Sequence, residues 1–152
     1  MDTRHVDPNT VPVWRWHGLL TAMLFAIPLV AIAASGGPGL AVGLLIAYVP
    51  IAIVCVWRWP SAYYRALRFG LDEQGITIRR GILWRSHIAL PRIRVQHSDV
   101  SQGPLQRRYG VATLKLYTAG SRYTKIELPG LAHDDAIALR DALLARGGDS
   151  GV

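Results

Sequence analysis

Two long apolar runs without a charged residue lie in the first 60 residues of this chain, at residues 18–35 and 40–57. Each run is about 18 residues long, which is the length that a helix needs to cross the hydrocarbon core of a bilayer. Residues 36–39, three glycines and a proline, are all that separates them. A linker this short predicts an antiparallel transmembrane hairpin whose two ends emerge on the same side of the membrane.

The tripeptide Trp-Arg-Trp stands at each end of this predicted hairpin. Indole rings prefer the headgroup layer of a membrane, and arginine side chains can extend from that layer into water. Cationic flanks beside an uncharged turn also predict, by the positive-inside rule, a multi-pass protein of the cell membrane with both termini in the cytoplasm. The predicted anchors at the membrane interface are Trp14, Arg15, Trp16, Trp57, Arg58 and Trp59.

Two other interpretations of the apolar runs are a buried hairpin of a soluble protein and a cleaved signal peptide. A helical hairpin buried in a soluble protein normally keeps a polar face, and neither run has one. A cleaved signal peptide would explain the Ala-Ile-Ala sequence at residues 31–33. The long leader with Pro8 and Pro12, and the second run that follows at once, argue against cleavage.

The positive charge is concentrated in the middle of the chain. The net charge is +7, and residues 65–132 hold twelve of the 17 Lys and Arg but only four of the 10 acidic residues. Nucleic acid is one class of partner for a basic domain. Anionic lipid headgroups are the simpler explanation for a domain tethered to a membrane, so no nucleic-acid partner is predicted. The single cysteine, Cys55, lies in the second run and excludes a disulfide framework.

From residue 65 the apolar residues alternate with polar ones, and turn residues recur about every ten positions, as in a small antiparallel β domain. Residues 133–146 have helical spacing, with Asp134 and Asp135 as capping candidates and Gly147 after the end. Pro60 is expected to end the second transmembrane helix, and Pro129 with Gly130 to end the sheet. The six predicted strands are 65–71, 76–80, 83–90, 93–100, 111–118 and 123–128.

The predicted fold is therefore a membrane α-helical hairpin followed by a mainly-β domain, in which a bent antiparallel sheet or partly open barrel is capped by a C-terminal helix. Residues 1–13 are predicted to be a cytoplasmic tail and residues 14–60 the hairpin. Residues 61–147 are predicted to form the cytoplasmic domain, and residues 148–152 a flexible tail.

One stretch of the chain resembles a known protein family. It is residues 90–114, with the sequence LPRIRVQHSDVSQGPLQRRYGVATL. The Gln-His before Asp99-Val100, the Gly-Pro-Leu-Gln-Arg block at residues 103–107 and Thr-Ala-Gly at residues 118–120 occur in an order that resembles the bacterial pleckstrin-homology-like (PH-like) membrane family. Members of this length have two transmembrane helices and one PH-like domain, and were once catalogued as a membrane domain of unknown function. Ser98 departs from the pattern, which has an apolar residue there.

The resemblance implies a fold and a location more firmly than an activity. Members of the family look like membrane-bound accessory proteins, often with a larger relative that repeats the PH-like unit, and no reaction is assigned to them. The resemblance therefore implies an accessory subunit of a membrane protein complex, with a larger PH-like membrane protein as the candidate partner. Self-association is left open.

Two groups of arginines are candidate binding surfaces. Eukaryotic PH domains bind inositol phosphates with a basic loop between their first two strands, but here that loop, residues 72–75, is acidic. In the first group, Arg92 and Arg94 are expected to share one face of a strand. For Arg107, an internal pair that holds the turn at residues 104–110 is the favoured role. The members of the first group are Arg92, Arg94, Arg107 and Arg108.

The second group, Arg79, Arg80 and Arg85, surrounds the turn at Gly81. If this turn faces the membrane, Ile82 and Trp84 would insert into it while the Arg residues contact headgroup phosphates. A single Trp in a strand is more often a core residue, so Trp84 is predicted to be buried. Either group would suit phosphate or carboxylate partners, because guanidinium groups bind both in a bidentate way.

The sequence contains no pattern typical of an enzyme. The nucleophile elbow, the phosphate-binding P-loop and the dinucleotide fingerprint are all missing. His87 and His97 could approach each other on neighbouring strands, with Asp99 on the same face as His97, but isolated His residues are far commoner than metal sites with three convergent ligands. The chain is therefore predicted to be a non-enzymatic interaction module without metal or cofactor; the alternative is a domain that senses anionic lipid headgroups.

Overall fold

The computed structural model describes residues 3–118 and 125–144. They form two compact units. One unit is the helical segment Val11–Ala62, and the other contains the described residues of Met1–Thr10 and Tyr63–Val152. The predicted tail at residues 1–13 is thus divided, because residues up to Thr10 belong with the β domain.

The first unit is a helical hairpin of α1 (Thr10–Ser35) and α2 (Gly37–Ile53). The second helix begins three residues before its predicted start, because Gly37 adopts a φ of 80° and completes the turn. The Tyr48 hydroxyl donates a hydrogen bond to the Ala22 carbonyl, which joins the two helices near their middle. Helix α1 and the continuous helical stretch Gly37–Ala66, which begins with α2, are long and apolar enough to span a membrane. Their large apolar side chains are mostly exposed, whereas a soluble hairpin would bury them.

Contrary to the sequence prediction, the second helix does not end at Pro60. It passes through a π turn at Val54–Arg58 and continues as α3 (Trp59–Ala66). Proline lacks an N–H, and its ring clashes with the carbonyl four residues earlier in a regular α-helix. The wider π turn directly before Pro60 changes the backbone at the place where that clash would arise.

The other unit contains a four-stranded antiparallel sheet in the order β1-β2-β3-β4. Its strands differ from the prediction at their ends: the first predicted strand loses residues to α3, and the third loses residues to the turn after Gly81. Strand β1 was not predicted, because it has only two residues in a polar segment. The strands are β1 (Arg4–His5), β2 (Arg68–Leu71), β3 (Gly75–Arg80) and β4 (Ser86–Pro91).

A three-stranded antiparallel sheet, in the order β5-β6-β7, follows in the same unit. Its strands are β5 (Val95–Ser101), β6 (Val111–Thr118) and β7 (Lys125–Ala132), with the short helix α4 (Pro104–Arg108) before β6. Contrary to the prediction, β7 continues through Pro129 and Gly130. A register shift against Ala112 and Thr113 absorbs the proline, and Gly130 adopts a φ of 86°.

Helix α5 (His133–Leu144) packs against the second sheet, as the C-terminal capping helix was expected to do. Its predicted last residues, the Gly147 end and the start of the sixth predicted strand lie outside the described residues. Ser98 is buried opposite Leu116, so its position is one where the fold favours an apolar residue. The core includes Ile76, Ile78, Val111, Leu114, Leu116, Leu128, Leu131, Ala136, Leu139 and Leu143.

The N-terminal segment is fixed to the second sheet at Gly130. The Asp7 amide donates a hydrogen bond to the Gly130 carbonyl over 2.7 Å, and the Thr10 hydroxyl donates another over 2.9 Å. Thr10 is only 1% exposed and Val6 is buried beside it in the chain. Together with β1, these contacts make residues 4–10 part of the β domain.

Candidate interaction surface

The first predicted group of arginines does not form one surface. Arg92 and Arg94 lie in a 3-10 turn rather than in a strand, so they do not share a strand face as predicted. The half-buried Arg92 donates hydrogen bonds to the carbonyls of Asp72, over 2.9 Å, and Ala142, over 3.0 Å. Arg92 therefore ties the β2–β3 turn to α5, and Arg94 is left exposed.

The other two members of that group, Arg107 and Arg108, are exposed at the end of α4. The internal role expected of Arg107 belongs to its neighbour Gln106. The Gln106 side chain accepts a hydrogen bond from the Gly103 amide and donates one to the Thr113 hydroxyl, each over 2.9 Å. Within residues 3–118 and 125–144, Arg107 makes no ion pair.

The turn between β3 and β4 presents two large apolar side chains to solvent. Trp84 is 86% exposed and Leu83 is 73% exposed, so the prediction of a core Trp is wrong. Gly81 has a φ of 108°, and a Cβ at this position would overlap the Trp84 carbonyl. Because of this tight turn, which only glycine permits, β4 begins at Ser86. Leu83 and Trp84 therefore lie outside the sheet.

One row of basic side chains crosses the first sheet, and sequence reasoning missed it. The register sets His5 opposite Arg68, Arg68 opposite Arg79, and Arg79 opposite His87. Directly opposite residues of antiparallel strands point to the same face. All four side chains are exposed. We refer to His5, Arg68, Arg79 and His87 as the basic row.

The second predicted group of arginines is divided by this register. Arg79 belongs to the basic row, whereas Arg80 pairs with Ser86 and has the opposite strand parity. The positive charge of Arg80 contributes to a lowered pKa of Glu127, whose main cause is a hydrogen bond from Lys125. The same bond, over 2.7 Å, raises the pKa of Lys125. Arg85 is exposed and directly precedes β4.

In the hairpin unit, the structure brings residues of the two Trp-Arg-Trp clusters together. The Arg15 guanidinium lies 5.0 Å from the centre of the Trp57 ring and donates a hydrogen bond to the Ser61 hydroxyl over 3.1 Å. Arg15 thus packs inside the hairpin end rather than extending away from it as expected. Arg58 is exposed, Trp14 is half-buried, and Trp16, Trp57 and Trp59 are exposed.

The described residues offer no arrangement typical of catalysis or metal binding. They include no group of three His, Cys, Asp or Glu side chains that could hold a metal ion. His97 lies opposite Tyr117 in the second sheet, whereas His87 belongs to the first. A shallow pocket of about 190 Å³ beside the β2–β3 turn contains Asp72 as its one ionisable lining residue.

The order of two apolar helices, two antiparallel sheets and a final helix can be compared with known families. The family model described as "Bacterial PH domain" matches residues 17–147, which include both helices and nearly all of the β domain. This chain belongs to the bacterial PH domain family. The membrane hairpin and the PH-like fold inferred from the sequence are thereby confirmed, with the β domain built as two open sheets rather than a closed barrel.

One curated relative has the same extent as this chain. The UPF0699 transmembrane protein YdbS of Bacillus subtilis (strain 168) is 31% identical over 154 residues, which cover 97% of this chain and 95% of the relative. No solved structure matches the chain significantly. The relative's name supports a transmembrane protein and assigns no reaction.

Proposed function

We propose that this bacterial PH domain protein is a membrane-anchored, non-enzymatic interaction module that serves as an accessory subunit of a membrane protein complex. The observation that carries the proposal is the turn that exposes Leu83 and Trp84. Tryptophan and arginine are the residue types most enriched at the energetic centres of protein interfaces. Here Trp84 and Arg85 stand side by side on a turn whose shape is fixed by Gly81.

A fixed turn favours binding because its residues need little further ordering when a partner arrives. The membrane hairpin contributes in another way, since it holds the module in the same bilayer as a membrane partner. Such confinement raises the effective concentration of the two proteins, so a small interface can suffice. We propose a larger membrane protein with PH-like units as the partner, and a multi-pass location in the cell membrane with both termini in the cytoplasm.

The experiment is purification of the full chain from native membranes in a mild detergent, followed by mass spectrometry of the proteins that come with it. We expect a stoichiometric membrane protein, and we expect Trp84→Ala to reduce its recovery at least tenfold, about the effect of losing an interface residue worth 1.4 kcal/mol or more. Ile93→Ala is the matched control, because Ile93 is 94% exposed on a different turn.

Two results would contradict the proposal. The wild-type chain could purify without any stoichiometric membrane protein, alone or as a homo-oligomer. Alternatively, the partner could remain fully bound to the Trp84→Ala variant, which would show that the exposed turn does not form the interface.

The basic row favours a second candidate function, the sensing of anionic headgroups at the cytoplasmic face of the membrane. Each Lys or Arg close to an anionic surface contributes about 1 kcal/mol to binding. This attraction is screened by salt over about 10 Å at 0.1 M ionic strength. Headgroup sensing therefore predicts binding that weakens steeply with salt, whereas an apolar contact through Trp84 depends on salt much less.

A further inference from the structure

We propose that the exposed face of the first sheet carries a phosphate-binding site formed by the basic row. The inference rests on the second candidate function and names the residues that would perform it. Its ligand chemistry is a phosphate group, either in a phospholipid headgroup or free in solution. The site is distinct from the loop between the first two strands of eukaryotic PH domains.

The register places two arginines directly opposite each other at the centre of the row. Arg68 and Arg79 are directly opposite each other on β2 and β3, so their Cβ atoms are about 5 Å apart. A guanidinium group presents several N–H donors in a plane that matches phosphate oxygens. At the two ends, His5 and His87 add imidazole nitrogens, which are also hydrogen-bonding groups.

The electrostatics of the row favour an anionic ligand. Like charges directly opposite each other on a sheet are destabilising. The row contains no carboxylate, and the ion pairs of residues 3–118 and 125–144 are Lys125 with Glu127 and Arg140 with Asp141. An anion bound between Arg68 and Arg79 would offset their repulsion.

The surface beside the row leaves room for a ligand. On the same strand faces, two residues further along, lie Gly70, Thr77 and Ala89, which are opposite one another in the register. Because these side chains are short, they do not fill the space next to the arginines. At one end of the row the His5 ring stacks on Tyr64, with ring centres 5.7 Å apart and an angle of 26°, which restrains its orientation.

The acidic residues of the β2–β3 turn are at the far end of these strands. Arg68 lies four residues before Asp72, a separation of about 13 Å along an extended strand. Asp72 also has a structural role, because its carboxylate accepts hydrogen bonds from the amides of Gln74 and Gly75. The carboxylates of this turn therefore leave the positive field at the basic row largely uncompensated.

The test compares two double variants of the full chain in mild detergent. Arg68→Gln with Arg79→Gln removes the centre of the proposed site. Arg107→Gln with Arg108→Gln is the matched control, because it removes the same charge from two exposed positions on α4. Thermal unfolding of each variant verifies that the fold is kept.

One arm of the test titrates phosphatidylglycerol, with phosphatidylcholine as the neutral reference, and counts bound lipids by native mass spectrometry. Lipids held by the hairpin form a baseline shared by all variants. The other arm titrates inorganic phosphate and pyrophosphate by calorimetry. We expect the Arg68/Arg79 variant to bind the phosphate ligand at least about tenfold more weakly than the wild type, as for the loss of charge-assisted hydrogen bonds. The control should change less than about twofold.

The outcomes separate the site from the function on which it rests. Loss of phosphatidylglycerol binding in the Arg68/Arg79 variant alone supports both. Loss of inorganic phosphate or pyrophosphate binding alone supports the site with a soluble ligand and contradicts headgroup sensing. Equal weakening in both variants, or binding of phosphatidylglycerol and of the inorganic anions unaffected in both, overturns the site while headgroup binding stands. No phosphate binding in either arm overturns both the site and headgroup sensing.

Discussion

Replacing Gly130 by alanine is expected to destabilise the β domain by about 2 to 5 kcal/mol, the sum of a backbone and a packing penalty. Gly130 has a φ of 86°, which L-residues rarely adopt. A Cβ there would also lie between 2.5 and 3.0 Å from side-chain atoms of Thr10. The added methyl group would therefore displace the segment that donates hydrogen bonds to the Gly130 carbonyl.

Gly110→Ala is the matched control for this prediction. Gly110 also has a positive φ, 68°, but a Cβ there meets no atom within 4 Å. The free energy of unfolding of Gly110→Ala should fall only by the backbone penalty of a positive φ, about 1 to 2 kcal/mol. Thermal or urea unfolding of the full chain in detergent measures both variants. Equal losses would mean that the contact between Thr10 and Gly130 does not hold the N-terminal segment in place.

Arg92→Met is expected to destabilise the domain by about 2 to 4 kcal/mol, because hydrogen bonds to charged groups contribute about 1.5 to 3 kcal/mol each and Arg92 is half-buried. The substitution removes the bonds to Asp72 and Ala142 while it keeps an apolar side chain of similar length. The β2–β3 turn and the last part of α5 would lose their link.

The control is Arg94→Met, two residues along the same 3-10 turn. Arg94 is exposed, so its loss should change the free energy of unfolding by less than about 0.5 kcal/mol. Unfolding in urea compares the two variants. Unchanged stability of Arg92→Met, together with loss of a bound partner, would return Arg92 to the role of a binding residue that the sequence suggested.

The hairpin and the type of the β domain could be predicted because each depends on one strong local pattern. A charge-free run that is long enough to cross a membrane has few alternatives to a transmembrane helix. The alternation of apolar and polar residues likewise predicted a strand at residues 76–80, and Ile76 and Ile78 are buried in it. Strand ends were less certain, since proline and glycine can be absorbed by irregular backbone: a π turn accepts Pro60, and a register shift accepts Pro129.

The candidate surfaces could not be predicted in the same way, because they depend on contacts between distant residues. The basic row needs strand β1, which has only two residues, and a register fixed by the turns on either side of β3. The burial of Trp84 was misjudged because Gly81 moves it out of the strand. Arg92 was assigned to a surface because its partners, Asp72 and Ala142, are 20 and 50 residues away.

The proposed topology of the chain rests on connectivity and charge together. Residues before the hairpin and residues after it belong to the same compact unit. A chain that enters and leaves a membrane hairpin from one folded domain has both ends of the hairpin on one side of the bilayer. By the positive-inside rule, the Arg residues at these ends support the proposal that this side is the cytoplasm.

The most direct test of a membrane-anchored cytoplasmic module is cysteine labelling in intact cells. In a Cys55→Ser background, Ser35→Cys reports on the hairpin turn and Glu73→Cys on the β domain, and both positions are exposed. With a membrane-impermeant maleimide, we predict that residue 35 is labelled in intact cells and residue 73 only after lysis. Labelling of residue 73 in intact cells, with residue 35 protected until lysis, would contradict the proposed orientation and place the β domain outside the cytoplasm.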